Sequence, residues 1–315
     1  MMAPDRPISS LPRARHEYWI ALGMLAIKTS LLEISFLDVG PSKGPVIFLL
    51  HGWPDDIRAW GEVAPVLNAA GFRTIIPYLR GFGPTRFLAK ETVRDGRGIA
   101  LAQDTIDLAD ALGIPTFFAA GHDWGARAAY LLAALFPSRV GKIAAMSLAF
   151  QPRGEFPIPS FPQARLFWYM WFMCTDGGAA AVRRDPVGFS KIQWDTWSPA
   201  GWYKDEEFQM TSGSFGNPDW ASITLNGYRS RFLPETVDHR YDNLQHRMTG
   251  IAQLKTPTLV INGGADSCDP PSSFEEMDHS FTGGYELLTL EDIGHFPTRE
   301  APSAVAEALV RHFRN

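Results

Sequence analysis

Thr116-Phe117-Phe118-Ala119-Ala120-Gly121-His122-Asp123-Trp124-Gly125 is the stretch on which the fold turns. Its first half has the apolar, aromatic character of a buried strand, and residues 126–136 after it are Ala- and Leu-rich, as a helix requires. Between them, glycines two before and two after Asp123 flank a single polar residue. That is the strand, turn and helix setting of a nucleophile elbow, with Asp where serine is usual. The turn holds its central residue in a strained conformation, and the glycines let neighbouring backbone pass closely. The bland alternative, a Gly-flanked Asp capping a helix, explains the five residues alone but not their setting.

Outward from the elbow, apolar and often β-branched runs at 34–39, 46–50, 73–77, 116–120, 142–148, 258–261 and 285–290 alternate with segments of helical period. Ile99, Ala102, Ile106 and Ala109, for example, fall on one helix face. The expected fold is α/β, a doubly wound, mostly parallel sheet with helices on both faces. Ligands in such sheets bind at the carboxyl ends of the strands.

The rhythm stops between about 151 and 252, where Pro, Trp and Phe are dense and six of the ten Trp occur. An inserted helical cap over 151–252 is expected, with 1–150 and 253–315 forming the core. Most of its aromatics should glue it to the core, and a few should line a cleft between them. No internal repeat is evident.

The chain has 315 residues, 29 Lys+Arg, 34 Asp+Glu and a formal charge of -5, without basic blocks. Nucleic acid and anionic membrane are therefore not expected partners. Cys174 and Cys268 are too few for a disulfide framework, and no Cys/His spacing suggests a metal, so neither a cofactor nor a metal is expected. A reducing compartment, the cytoplasm, is the default. The apolar stretch 19–27 is too short to span a bilayer and lacks a small-residue cleavage site, so it reads as a packed helix or a first strand. A homodimer is neither indicated nor excluded.

Chemistry explains Asp at the elbow. Serine attack on an sp³ carbon would end in an ether, whereas carboxylate attack gives an ester that water can cleave. Asp123 therefore points to displacement at saturated carbon. His295, after the last strand run, would activate water. Asp266, after the preceding one, would orient that imidazole, with Asp269 as a rival and Asp292 less well placed. The order Asp123, Asp266, His295 is nucleophile, acid, histidine. Oxyanion donors should be the backbone N–H groups of Trp124 and of Trp53, in His51-Gly52-Trp53-Pro54, where the Pro54 bond is a candidate for cis. His51, Pro54, Trp168 and Phe296 are expected around the substrate pocket, although His51 also reads as a hydrogen-bonded loop anchor.

From about residue 34 onward the chain resembles the α/β-hydrolase-fold epoxide hydrolases and their dehalogenase relatives. The resemblance rests on His51-Gly52-Trp53-Pro54, Arg80-Gly81-Phe82-Gly83, Gly121-His122-Asp123-Trp124-Gly125-Ala126 and Gly294-His295-Phe296. It implies a small apolar epoxide and water as reactants, and two cap tyrosines that grip the epoxide oxygen. Leu166-Phe167-Trp168-Tyr169-Met170-Trp171-Phe172 and Leu225-Asn226-Gly227-Tyr228-Arg229 are similar to the segments that carry them, which points to Tyr169 and Tyr228, with Tyr203 and Tyr241 in reserve. The same resemblance keeps a haloalkane or haloacetate dehalogenase open. Haloacetate enzymes clamp a carboxylate with Arg one and four residues after the Asp; here Trp124 replaces the first and only Arg127 remains, and half a clamp argues against a charged substrate. Haloalkane enzymes commonly have Asn where Trp53 stands, although Trp124 and a cap Trp could hold a halide. A non-enzymatic small-ligand binder on the same fold is the reading from another class, opposed by the complete catalytic set.

Overall fold

The structure, a computed structural model, describes residues 23–314. Its nine strands are β1 (Leu25–Lys28), β2 (Leu32–Val39), β3 (Val46–Leu50), β4 (Arg73–Pro77), β5 (Arg86–Phe87), β6 (Phe117–His122), β7 (Val140–Met146), β8 (Thr258–Gly263) and β9 (Tyr285–Leu290). They form one sheet of order β1-β2-β4-β3-β6-β7-β8-β9, with β5 against β2. Pairing is parallel from β4 through β9 and antiparallel only where β2 meets β1, β4 and β5.

This is the expected doubly wound α/β sheet. All seven anticipated runs are strands, within a few residues at their ends. Part of the 19–27 stretch becomes β1, while residues 19–22 lie outside the described residues. Ile47, Phe48, Leu49 and Leu50 are wholly buried, as expected for a strand covered on both faces. Each such side chain contributes roughly 1.5–3 kcal/mol of burial.

The core helices α1 (Val63–Ala69), α2 (Gly98–Ala111) and α3 (Trp124–Leu135) pack on this sheet. Ile99, Ala102, Ile106 and Ala109 are all buried on α2, as their spacing predicts. Between β7 and β8 come seven further helices: α4 (Phe161–Leu166), α5 (Trp168–Cys174), α6 (Asp176–Arg184), α7 (Pro186–Thr196), α8 (Asp205–Ser212), α9 (Trp220–Arg229) and α10 (Asp242–Thr249). The chain ends in α11 (Pro297–Glu300) and α12 (Pro302–Arg314).

The insertion is tied to the core by buried indoles. Trp194 Nε1 donates to the Pro54 carbonyl at 2.7 Å, and Trp53 Nε1 donates to Thr224 Oγ1 at 3.0 Å. Among the described residues no helix is long and apolar enough to cross a membrane.

Candidate active site

Asp123 sits at the bend between β6 and α3 with φ 48° and ψ −109°. Such a backbone is costly for a residue with a Cβ, about 1–3 kcal/mol, and persists only where its surroundings impose it. Here they do. A Cβ on Gly121 would lie 2.0 Å from the Gly125 carbonyl, and one on Gly125 would lie 2.1 Å from that of Leu50. The close approach of β3 to the first turn of α3 thus requires both glycines.

The carboxyl group is held from two sides. Oδ1 accepts the Trp53 backbone N–H at 2.8 Å, from a loop whose Trp53–Pro54 peptide is cis. Oδ2 lies 3.8 Å from His295 Nε2, beyond hydrogen-bond length, so that imidazole edge faces the carboxylate without being spent on it. His295 Nδ1 meets Asp266 Oδ2 at 2.8 Å. Of the rival carboxyls, Asp269 instead accepts the Ala149 N–H at 3.3 Å, and Asp292 is exposed.

Electrostatics follow from this packing. Burial alone would strip His295 of its proton, but Asp266 and then Asp123 outweigh it and push the imidazole up to about 10. Burial likewise opposes ionisation of Asp123, yet the proximity and charge of His295, with the Trp53 N–H, hold it below the usual carboxylate range. Burial pushes Asp269 up to about 6.

Tyr169 on α5 and Tyr228 on α9 face Asp123 and His295 across a cavity of about 160 Å³. Their rings meet edge to face at 5.4 Å, and Tyr169 stacks on Trp53 at 5.8 Å. Tyr228 Oη accepts the Trp124 indole N–H at 3.1 Å, so its own proton is left to give. Tyr169 Oη lies 3.6 Å from Cys268 Sγ. Burial pushes both phenols well above their ordinary range, so each keeps its proton.

Four expected pocket residues lie elsewhere. His51 is buried beneath the loop, with Nδ1 at the Gly52 carbonyl and Nε2 accepting the Leu79 N–H, which is the anchor alternative. Pro54 presents its carbonyl to Trp194, and Phe296 packs wholly buried on Trp202 at 4.5 Å. Trp168 is 37% exposed on the far face of α5. Nor do the reserve tyrosines reach the cavity: Tyr203 bonds Asp195 and Lys191, and Tyr241 accepts from Arg80 at 2.9 Å.

Sequence reasoning missed the brace around His295. Its backbone N–H donates to Ser198 Oγ at 2.8 Å, and Ser198 Oγ donates to Glu300 Oε1 at 2.7 Å. Glu300 also accepts the N–H groups of Gly294 and Phe296 at 2.8 and 2.9 Å. An acid five residues after the candidate histidine was the available signal. His122, whose Nε2 meets the His295 carbonyl at 2.6 Å, was also missed.

The family is visible in the sequence as well as in this geometry. Residues 45–302 match the model of the alpha/beta hydrolase fold, and the chain belongs to that family. The relatives it resembles carry a narrower name. Epoxide hydrolase 3 of Siraitia grosvenorii is 26% identical, covering 92% of this chain and 98% of that protein. Epoxide hydrolase A of Mycobacterium tuberculosis is 25% identical, covering 90% and 95%. A crystal structure from Klebsiella pneumoniae, provisionally called an epoxide hydrolase, superposes with a TM-score of 0.86 at 36% identity, covering 93% of this chain and 97% of that one.

Proposed function

We propose that the protein hydrolyses an epoxide to a vicinal diol through an ester on Asp123, with residues 151–252 acting as the cap that carries the ring-opening acids. The observation that supports this most is the convergence of Asp123, His295, Tyr169 and Tyr228 on one cavity.

Ionised Asp123 attacks a ring carbon, the C–O bond breaks, and the departing oxygen takes a proton from Tyr169 or Tyr228. Esterification removes one of the two negative charges that hold the proton on His295. The imidazolium is thereby made acidic enough to restore the tyrosine, which leaves it neutral. Neutral His295, oriented by Asp266, then takes a proton from water as that water attacks the ester carbonyl. The oxyanion forms on Asp123 itself, opposite the Trp53 N–H and the N–H of Trp124. Collapse releases the diol and returns Asp123 to its carboxylate and His295 to its cation.

A halide would need N–H donors rather than an acid. The Trp124 indole donates instead to Tyr228, and no cap Trp lines the cavity among the described residues. This favours an epoxide over a haloalkane.

A single turnover of styrene oxide in H₂¹⁸O tests the proposal: the first diol should be unlabelled and the label should enter Asp123. Label appearing directly in the diol, or halide release from chloroacetate outpacing diol formation, would overturn it.

A further inference from the structure

Beside the catalytic cavity lies a second, larger one of about 320 Å³, and Arg127, Gln151, Phe156 and Arg231 are among the residues that line both. Arg127 projects from α3 and Arg231 follows the end of α9, so core and insertion each supply one guanidinium to the same wall. Among the described residues neither forms a salt bridge. Arg127 gives one N–H to Gln151 Oε1 at 2.9 Å, while its buried Nε has no partner. The Arg231 side chain reaches the Met170 sulfur at 3.8 Å and the ring faces of Tyr228 and Phe156, at 4.9 and 5.6 Å.

Two neighbouring guanidiniums without a paired carboxylate are costly, although the Asp123 charge across the cavity partly offsets this for Arg127. Desolvation, and then the charge of Arg231, push Arg127 down to about 9. By contrast, buried Arg80 is paired with Asp104, and Arg299, largely covered, with Asp55. Room has also been made for the exception, because a Cβ on Gly98 would strike the Arg127 side chain at 2.5 Å.

Resting on the epoxide reading above, we propose that Arg127 and Arg231 form an anion subsite, and that the substrate is an epoxide bearing a carboxylate. Guanidinium and carboxylate match as a planar two-point contact, so each arginine offers a fork of N–H donors to the acid. The acid would lie toward the larger cavity while the ring lies between Asp123 and the two tyrosines. Arg127 alone reads as half of a carboxylate clamp; Arg231, distant in sequence, supplies a second cation.

The test compares 3-phenylglycidate with its neutral amide, 3-phenylglycidamide, in wild type, Arg127→Met, Arg231→Met and Arg231→Lys. The wild type should favour the acid in kcat/KM by at least about 10²-fold, mostly through KM. Either Met variant should collapse that ratio toward one, with Arg231→Lys in between. An acid/amide ratio near one in wild type overturns the subsite while leaving the epoxide reading intact. So does an equal loss on both substrates, which would mean that the arginines serve only Asp123. Should no epoxide turn over, the epoxide reading fails, and calorimetric binding of 3-phenylpropionate decides the subsite separately. Binding lost in Arg231→Met upholds an anion site, and no binding to wild type removes it.

Discussion

The two halves of the site are built in different ways. The core half, Asp123, Asp266 and His295, lies on the loops after three strands, and its two carboxylates are fixed by backbone donors: Asp123 Oδ1 accepts the Trp53 N–H at 2.8 Å, and Asp266 Oδ1 accepts those of Cys268 and Asp269 at 2.7 and 2.9 Å. The insertion half, Tyr169, Tyr228 and Arg231, is held by ring packing and leaves donors unspent. Fixed geometry suits bond making, where small misplacements cost large factors. Unspent donors suit recognition of an oxygen or an acid group. On the proposed reaction the core carries nucleophilic attack and ester hydrolysis, while the helices grip the departing oxygen and share the acid subsite with Arg127.

The strongest way to break this division is at its centre. Asp123→Ala should lower kcat by a factor on the order of 10⁵, since no other carboxylate in the cavity is aimed by a backbone donor and a histidine. Residual turnover within tenfold of wild type would mean that the nucleophile is elsewhere. On the insertion side, Tyr169→Phe with Tyr228→Phe should cost about 10³–10⁴-fold in ester formation, measured by stopped flow, with melting temperature nearly unchanged. A purely structural role for the rings would leave the burst phase intact.

A third prediction concerns protons. Because Asp266 and Asp123 raise His295 to about 10 from 6.5, its folded value exceeds its unfolded one. The stabilisation is therefore complete below 6.5 and is lost as pH climbs through 10. Asp266→Asn should move the His295 midpoint down, as followed by imidazole NMR. It should also flatten the decline of melting temperature between neutral and alkaline pH, and lower kcat by about 10²-fold or more. An unmoved midpoint would remove Asp266 from the proton chemistry.

How much of this was legible in the sequence follows the same division. The core half depends on local turn chemistry and on chain order, both written in contiguous residues, so Asp123, Asp266 and His295 could be named in their places. The pocket wall depends on which way a side chain points. Trp168 and Tyr169 are neighbours in sequence, but a helix turns about 100° per residue, so Tyr169, Met170 and Met173 are buried while Trp168 and Phe172 are half exposed. Likewise His51 and Phe296 flank the site along the chain yet turn beneath it. Arg231 carried no motif at all; its meaning comes from lying beside Arg127 across the cavity, a contact between distant segments.

The smallest effect tests the seam between the halves. Ser198, between α7 and α8, accepts the His295 N–H and donates to Glu300, joining the insertion to the histidine loop. Ser198→Ala removes two hydrogen bonds, one from the buried His295 N–H and one to the Glu300 carboxyl group, a cost of about 1–3 kcal/mol. Glu300 keeps the Gly294 and Phe296 bonds, so the loop should hold its place. The expected outcome is a melting temperature lower by a few degrees and a kcat reduced less than tenfold, both restored by Ser198→Thr. If kcat fell as far as in Asp266→Asn, the insertion would be setting the imidazole itself. The assignment of ester hydrolysis to the core alone would then have to be withdrawn.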